Sequence, residues 1–236
     1  MNLAAAAIRS SMPAATIVVA DEEVVLDRRG YALMRRHRLL VVSDLHLEKG
    51  SSWARRRQFL PPYDSHDTLL RLEAAIEEHD PRMVICLGDS FHDPDGHVRL
   101  PDEMRDRLSR MAAGRDWCWI AGNHDPDPPG SLPGFAAVEL AIGGIVFRHE
   151  PRAGSAPGEI AGHLHPGAVL RRHGRSLRRP CFATDATRLI LPAFGAYAGT
   201  LSVRAEPFAQ LFAVDRLRAY ILGNEAIYLL AASQLG

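Results

Sequence analysis

The chain has 236 residues, of which 47% are hydrophobic and 24% are charged, and its formal net charge is zero. This composition is typical of a globular protein and excludes disordered, collagen-like and coiled-coil chains. Zero net charge also excludes a general attraction to nucleic acids or membranes, so polyanions must be bound by local clusters of basic residues. The apolar runs are far shorter than the roughly 20 residues of a membrane-spanning helix, and residues 1–20 lack the pattern of a secretory signal.

The cysteines indicate a reducing compartment. Cys86 and Cys118 lie inside apolar runs, and Cys181 is far from both in the sequence. This spacing predicts buried, reduced thiols rather than disulfides or a thiolate zinc site. We therefore expect a cytoplasmic protein with no membrane partner.

The first half of the chain predicts alternating strands and helices. Strand-like runs come first, at residues 16–20, 23–26, 31–34 and 38–43. Helical spacing of apolar residues follows over residues 67–78, with Ser65 as the expected N-cap, and recurs over residues 104–111. Continuous apolar runs predict three strands buried on both faces, at residues 39–42, 83–87 and 117–121. This β-α-β-α-β order favours a parallel sheet with crossover helices.

After Asn123 the chain changes to short strand-like runs separated by glycine and proline. No linker-like stretch interrupts it, so we expect one domain over residues 1–236, with two packed sheets and helices outside. The predicted strands cover residues 137–142, 144–147, 159–161, 180–183, 188–191, 210–214, 217–222 and 226–230.

Polar side chains follow each of the three buried strands. Asp44 and His46 come after the first, Asp89 after the second, and Asn123 and His124 after the third. Open α/β sheets place their binding sites at the carboxyl ends of their strands. We therefore expect these side chains to lie close together.

Three later histidines complete a set that could hold two metals. Two divalent ions about 3.5–4 Å apart need a bridging carboxylate and several further ligands. Carboxylate, amide and imidazole ligands together suit Mn²⁺, Fe or Zn²⁺ better than Ca²⁺. His163 and His165 flank Leu164, and both imidazoles can reach one site only if the backbone of this His-Leu-His segment is irregular. The candidate ligands are Asp44, His46, Asp89, Asn123, His149, His163 and His165.

The order of these motifs resembles that of the calcineurin-like metallophosphoesterase family. The motifs are Asp44-x-His46, Gly88-Asp89, Gly122-Asn123-His124-Asp125, a lone His149 and Gly162-His163-x-His165. The resemblance implies an α/β fold, a four-layer αββα sandwich, and an enzyme that hydrolyses phosphoric esters with two divalent metal ions. Mn²⁺ is the expected metal, with Fe or Zn²⁺ as alternatives.

The same resemblance implies a role for each matched residue. Asp89 is expected to bridge the two metals, and His124 to contact the scissile phosphate or the leaving oxygen. One metal would be bound by Asp44, His46, Asp89 and His165, and the other by Asp89, Asn123, His149 and His163.

A narrower likeness extends beyond the metal motifs. Residues 43–50, 54–57, 60–64 and 191–197 resemble the bacterial DNA-ligase-associated metallophosphoesterases. This implies a phosphodiesterase or nuclease acting on DNA in a repair setting, with a DNA ligase and a helicase as partners. The same metal core also fits a phosphomonoesterase or small-nucleotide hydrolase. A metal-stabilised scaffolding subunit is disfavoured because no ligand position is lost.

One position departs from the pattern of many family members. They carry an aspartate three residues after the bridging aspartate, which pairs with the histidine of the Asn-His motif. Here that position is His92, as in the repair nucleases of the family. The carboxylate partner of His124 is therefore left open, and His92 is predicted to contact the substrate.

Two arginine clusters could bind phosphates outside the metal site. Arg55, Arg56 and Arg57 follow the first motif, where a guanidinium could reach a phosphate, although charge runs are also typical of solvated faces. The second cluster fits either an exposed turn or a track for a polynucleotide backbone. It comprises Arg171, Arg172, Arg175, Arg178 and Arg179.

Five further side chains each fit either a functional or a structural role. Trp53, Tyr63 and Tyr197 could stack on bases, but isolated aromatic residues more often pack in the protein. Asp93 and Asp125 fit either supporting hydrogen bonds or catalysis.

Overall fold

The structure is a computed structural model that describes residues 12–55, 57, 63–127, 130–172 and 175–231. In this part of the chain, seven strands form a first sheet whose spatial order follows the sequence. They are β1 (Ala14–Val19), β2 (Glu22–Asp27), β3 (Ala32–Met34), β4 (Leu39–Val42), β5 (Met83–Leu87), β6 (Asp116–Ile120) and β7 (Phe135–Ala137).

The parallel part of this sheet confirms the predicted crossovers. Strands β4 to β7 pair in parallel, whereas β1 to β4 pair antiparallel. Parallel neighbouring strands need a long crossover connection, and helices form the connections from β4 to β5 and from β5 to β6. The helices are α1 (Lys49–Arg55), α2 (Asp64–His79), α3 (Gly96–Arg99) and α4 (Asp102–Ala112).

The second sheet contains the later strands. Its strands are β8 (Glu139–Ile142), β9 (Ile145–Arg148), β10 (Glu159–Ala161), β11 (Pro166–Arg172), β12 (Arg175–Thr184), β13 (Arg188–Ile190), β14 (Leu201–Ser202), β15 (Arg218–Leu222) and β16 (Ile227–Ala231). The main path of the sheet runs β14-β11-β12-β13-β10-β9-β8, and β15 pairs with both β12 and β16.

Alternating side chains of the first sheet divide the core into two layers. Val41 and Ile120 point to the second sheet and pack with its Phe147 and Phe182. The opposite face of the first sheet is covered by α2 and α4, whose leucines pack on β6. The outer face of the second sheet is covered by the short helix α5 (Glu206–Ala209) through Phe208. The layers run helix, sheet, sheet, helix, so the predicted αββα sandwich is confirmed.

Two predictions about element boundaries are wrong. The run 137–142 is not one strand, because the chain leaves the first sheet after Ala137 and enters the second at Glu139. Ser65 is not the N-cap of α2, which begins at Asp64. Its hydroxyl instead accepts the backbone N–H of Glu48 and donates to the Glu48 carboxylate, at 2.8 and 2.9 Å.

One further prediction in the second half is wrong. Residues 210–214 form turns rather than a strand, and Phe212 packs in the outer core beside α5. The strand predicted at residues 180–183 is the end of the longer strand β12, which forms an antiparallel hairpin with β11. All three cysteines are buried and free, as predicted. In the described part of the chain, no helix is long and apolar enough to cross a membrane.

Candidate metal centre

The loops after β4, β5 and β6 meet at one edge of the first sheet. The Asp44 N–H donates to the Gly88 carbonyl at 3.3 Å, and the His46 N–H donates to the Asp89 carbonyl at 2.9 Å. The backbone N–H of His124 donates to Asp89 Oδ1 at 2.9 Å. The structure therefore brings together the polar residues that follow the three buried strands.

The second sheet brings its histidines to the same place. His149 follows β9 and His163 follows β10, and these strands are parallel neighbours. The Gly162 N–H donates to the His149 carbonyl at 3.0 Å. The His163 N–H donates to Asp44 Oδ2 at 3.0 Å, which joins the loops of the two sheets directly.

Asp44, His46 and His165 form the first group of candidate ligands. His46 Nε2 lies 3.2 Å from His165 Nε2, which in turn lies 3.1 Å from Asp44 Oδ1. Asp44 is completely buried, yet within the described residues its Oδ1 accepts no hydrogen bond. Two imidazole nitrogens and an unsatisfied buried carboxylate oxygen that converge in this way fit a shared divalent cation.

Asp89, His149 and His163 form the second group. His149 Nε2 lies 3.4 Å from Asp89 Oδ1, 3.2 Å from His163 Nδ1 and 2.9 Å from Asn123 Oδ1. The other ring nitrogen, Nδ1, lies 2.8 Å from the Leu87 carbonyl. A proton on Nδ1 would therefore be held there and leave Nε2 free to bind a metal. The bridging role of Asp89 stays a prediction, since its carboxylate is grouped here with the second set.

The His-Leu-His segment distributes its two imidazoles between the two groups. His163 and His165 have φ angles of +66° and +44°, in the left-handed region that non-glycine residues seldom adopt. The irregular backbone expected from the sequence is therefore present. Asp44, His46 and Asp89 also have positive φ angles, of 52°, 44° and 46°. Such conformations concentrate at functional sites because the surrounding structure must enforce them.

The electrostatics of the centre favour carboxylates in their charged form. Burial would raise the pKa of Asp44, but the electrostatic contact with His165, at 3.1 Å, outweighs it and lowers the pKa. The pKa of Asp89 is likewise lowered, because His149 and the His124 N–H outweigh its burial. Burial lowers the pKa of His46 to about 3, so its imidazole is neutral and available as a ligand at neutral pH.

His149 leads to a pH prediction. Burial lowers its pKa, but Asp89 and Asp44 outweigh this and raise it to about 9 in the absence of metal. Below pH 9 a metal must therefore displace a proton, so we expect Mn²⁺ affinity to rise between pH 6 and 8, by about tenfold per pH unit for one proton. Calorimetric titration in anaerobic buffers of different ionisation enthalpy measures both affinity and proton release. An affinity that does not change over this range would contradict the prediction.

His124 lies beside the second group with a partly exposed side chain. Its Nε2 is 3.9 Å from Asp89 Oδ2, and its Nδ1 is 3.0 Å from the backbone carbonyl of His92. Among the described residues, the hydrogen-bond partner of the His124 ring is therefore the His92 carbonyl oxygen, at the position where the sequence left a carboxylate partner open. That carbonyl fixes the orientation of the ring and directs Nε2 towards the centre.

His92 is also part of this wall of the site. Its ring stacks on His124 at 5.4 Å between centroids and meets the edge of His46 at 5.6 Å. Its Nε2 accepts a hydrogen bond of 3.3 Å from the indole N–H of Trp53. The structure thus places His92 where a substrate contact is possible, and such a contact stays a prediction. The role of Trp53 could not be found from its isolated position in the sequence.

The two acidic residues with uncertain roles make supporting contacts. Asp125 is buried, and its Oδ2 accepts the Phe91 N–H at 3.1 Å, which joins the loops after β5 and β6. Burial raises the pKa of Asp125 to about 7. Burial also acts to raise the pKa of Asp93, but its contacts with Arg99 lower it to about 2.

The arginine clusters are only partly described. Arg55 ends α1 and lies 3.5 Å from Asp95, and Arg57 is exposed in a turn. Arg56 lies outside the described residues. Arg178 and Arg179 belong to β12, and the Arg178 side chain is exposed. Arg171, Arg172 and Arg175 lie in the β11–β12 hairpin, and their side chains fall outside the described part.

A substitution at Gly88 tests whether the position of His149 in the second group is needed for metal binding. Its φ is +71°, and a Cβ there would lie 2.5 Å from the His149 ring. We expect Gly88→Ala to displace His149 and weaken metal binding and activity about 10- to 100-fold. Gly114→Ala is the matched control, because Gly114 has φ +75° and no atom within 4 Å of the added carbon. Equal metal affinity in the two variants, measured by calorimetry, would contradict this assignment.

Comparison with known proteins agrees with this architecture. The calcineurin-like phosphoesterase family matches residues 37–190, which include both groups of candidate ligands. The crystal structure of the Pseudomonas putida nuclease MPE is similar, with 28% identity, a TM-score of 0.71, and coverage of 92% of this chain and 100% of that chain. Yfce, a phosphoesterase from E. coli, has 14% identity and a TM-score of 0.41 over 82% of this chain and 98% of its own.

No curated protein matches the sequence. The family match nevertheless covers more than half of the chain and contains all the strand-end motifs. It agrees with the two groups of histidines and carboxylates at the joined edges of the sheets. The chain therefore belongs to the calcineurin-like phosphoesterase family and is a metal-dependent hydrolase of phosphoric esters.

Proposed function

We propose that the protein is a phosphodiesterase that cleaves DNA, with two Mn²⁺ ions, in a repair setting. The observation that carries this proposal is the pair of adjacent His/Asp groups at one edge of the sandwich. Similarity to the Pseudomonas putida nuclease over 92% of this chain supports a nucleic acid as the substrate, and DNA is proposed from the resemblance to the DNA-ligase-associated members. The proposal includes a DNA ligase and a helicase as partners, on the resemblance of residues 43–50 and 191–197 to DNA-ligase-associated members. It also includes a cytoplasmic location, which the three buried, free cysteines support.

The residues of the centre have distinct tasks in this reaction. When bound, two divalent metals activate water and neutralise charge on the phosphoryl oxygens. The buried carboxylates Asp44 and Asp89 hold the negative charge that such metals require. His124 lies beside the second group, where its Nε2 can donate a hydrogen bond to the phosphate or a proton to the leaving oxygen when both ring nitrogens carry a proton.

Substrate comparison tests the proposal. The purified protein is incubated with Mn²⁺ and three substrates, namely a DNA strand, bis(p-nitrophenyl) phosphate and p-nitrophenyl phosphate. We expect kcat/KM to be highest for DNA and lowest for the monoester, and a chelator to abolish all three activities. A preference for the monoester would instead support the phosphomonoesterase alternative.

A further inference from the structure

A basic pocket lies on the far side of the loop that borders the metal centre. It has a volume of about 280 Å³ and is lined by Arg28, Arg29 and Arg71, by Pro180 and Leu222, and by small residues of the segment 193–200. Ala32 pairs with Val41 across β3 and β4. The β2–β3 turn that carries Arg28 and Arg29 therefore lies at the same edge of the sheet as Asp44.

The loop shared by the pocket and the centre is bonded to two candidate metal ligands. The Gly195 N–H donates to the Asp44 carbonyl at 3.1 Å, and the Leu201 N–H donates to the His165 carbonyl at 2.9 Å. A Cβ at Gly195 would collide with the Leu45 carbonyl, so only glycine permits this approach. One loop thus separates the pocket from the first group of ligands.

The three arginines differ in how their charge is compensated. Arg29 is paired with Asp27 at 2.9 Å and with Glu78 at 2.7 Å. Arg71 instead donates to the Phe194 carbonyl, and its guanidinium lies 4.7 Å from the Phe194 ring centroid. Burial lowers the pKa of Arg71, and Asp67 one turn away opposes this effect.

Among the described residues, no carboxylate lies within ion-pair distance of Arg28 or Arg71. Arg28 donates to the Asn224 carbonyl at 2.7 Å. Exposed Arg178 donates to the Thr200 carbonyl at 3.1 Å, so a fourth arginine lies at the rim of the pocket. A partly buried guanidinium without a counter-ion is unfavourable, and an anionic ligand would compensate it.

We propose that this pocket binds a backbone phosphate of the DNA strand whose scissile phosphate lies at the metal centre. This inference rests on the proposed function and adds a second point of contact for the strand. Arginine suits this role because its planar fork of donors matches phosphate oxygens. A contact to phosphate alone would anchor the strand without reading its sequence.

Charge reversal tests the pocket separately from catalysis. The binding of a fluorescent oligodeoxynucleotide, single-stranded or annealed to its complement, is measured by stopped-flow anisotropy with Mn²⁺, before the strand is cut. We expect Arg28→Glu to weaken binding about tenfold, and to reduce the slope of log affinity against log salt by about 0.7 to 0.9 for one lost phosphate contact. Arg71→Met, which keeps the packing of the side-chain stem, should have a similar effect at an unchanged melting temperature.

Arg36→Glu is the matched control, because Arg36 is exposed in the turn Arg35–His37, beyond the opposite end of β3. If Arg28→Glu and Arg36→Glu weaken DNA binding equally, or if the wild type does not bind DNA, the proposal that the pocket binds a phosphate is wrong. Cleavage of the same oligonucleotide is followed in parallel. Cleavage with unchanged binding in Arg28→Glu and Arg71→Met rejects the pocket and leaves the proposed function intact. Binding that depends on Arg28 without any cleavage supports the pocket and rejects the nuclease function.

Discussion

Asp89→Asn is expected to lower kcat for diester hydrolysis about a thousandfold or more. The Asp89 side chain is 3% exposed, and its carboxylate lies 3.4 Å from His149 Nε2. An amide at this position carries no negative charge, so it would bind a metal cation more weakly. The Asp89 carboxylate also accepts the backbone N–H of His124, so the loop after β6 depends on it. Rates on bis(p-nitrophenyl) phosphate and bound metal measured by mass spectrometry check this expectation together.

The control for this variant is Asp102→Asn, because Asp102 is fully exposed at the start of α4. It makes the same chemical change outside the centre and should leave activity and metal content unaltered. His163→Ala should resemble Asp89→Asn, since it removes another member of the same group. Wild-type activity of Asp89→Asn after treatment with a chelator would contradict a two-metal centre.

His124→Ala is expected to keep both metals and lose about 10²- to 10⁴-fold in rate, the range of acid–base catalysis. The structure separates the two effects because the backbone N–H of His124, and not its ring, bonds to Asp89. Truncation of the side chain therefore leaves the ligand groups in place. Metal content and kcat are measured on the same preparation.

A suitable control is His66→Ala on α2, because the His66 and His124 side chains are both 41% exposed. It should change neither rate nor metal content. Loss of metal from His124→Ala would instead assign His124 a structural role in holding the centre together.

The sequence predicts the site well where local pattern and chain direction are sufficient. Short apolar runs such as Leu39–Val42 are typical of buried strands, and parallel neighbouring strands end at one edge of the sheet. Asp44, Asp89 and Asn123 therefore had to lie near one another. The second sheet could also be predicted from local pattern, because the second half of the chain consists of short strand-like runs separated by glycine and proline.

Features that depend on contacts between distant segments could not be predicted. The run around Val138 looks continuous, yet the chain changes sheets there. The allocation of His163 and His165 to different groups follows from positive φ angles that neighbouring loops enforce. The carbonyl partner of His124 and the contact of Trp53 with His92 also join segments more than 30 residues apart.

Anomalous diffraction from crystals grown with Mn²⁺ tests the central claim most directly. We expect two anomalous peaks per chain, one among Asp44, His46 and His165 and the other among Asp89, His149 and His163. Crystals of His163→Ala grown in the same way should keep the first peak and lose or weaken the second. A single peak in the wild type, or peaks away from these six side chains, would contradict the two-metal centre.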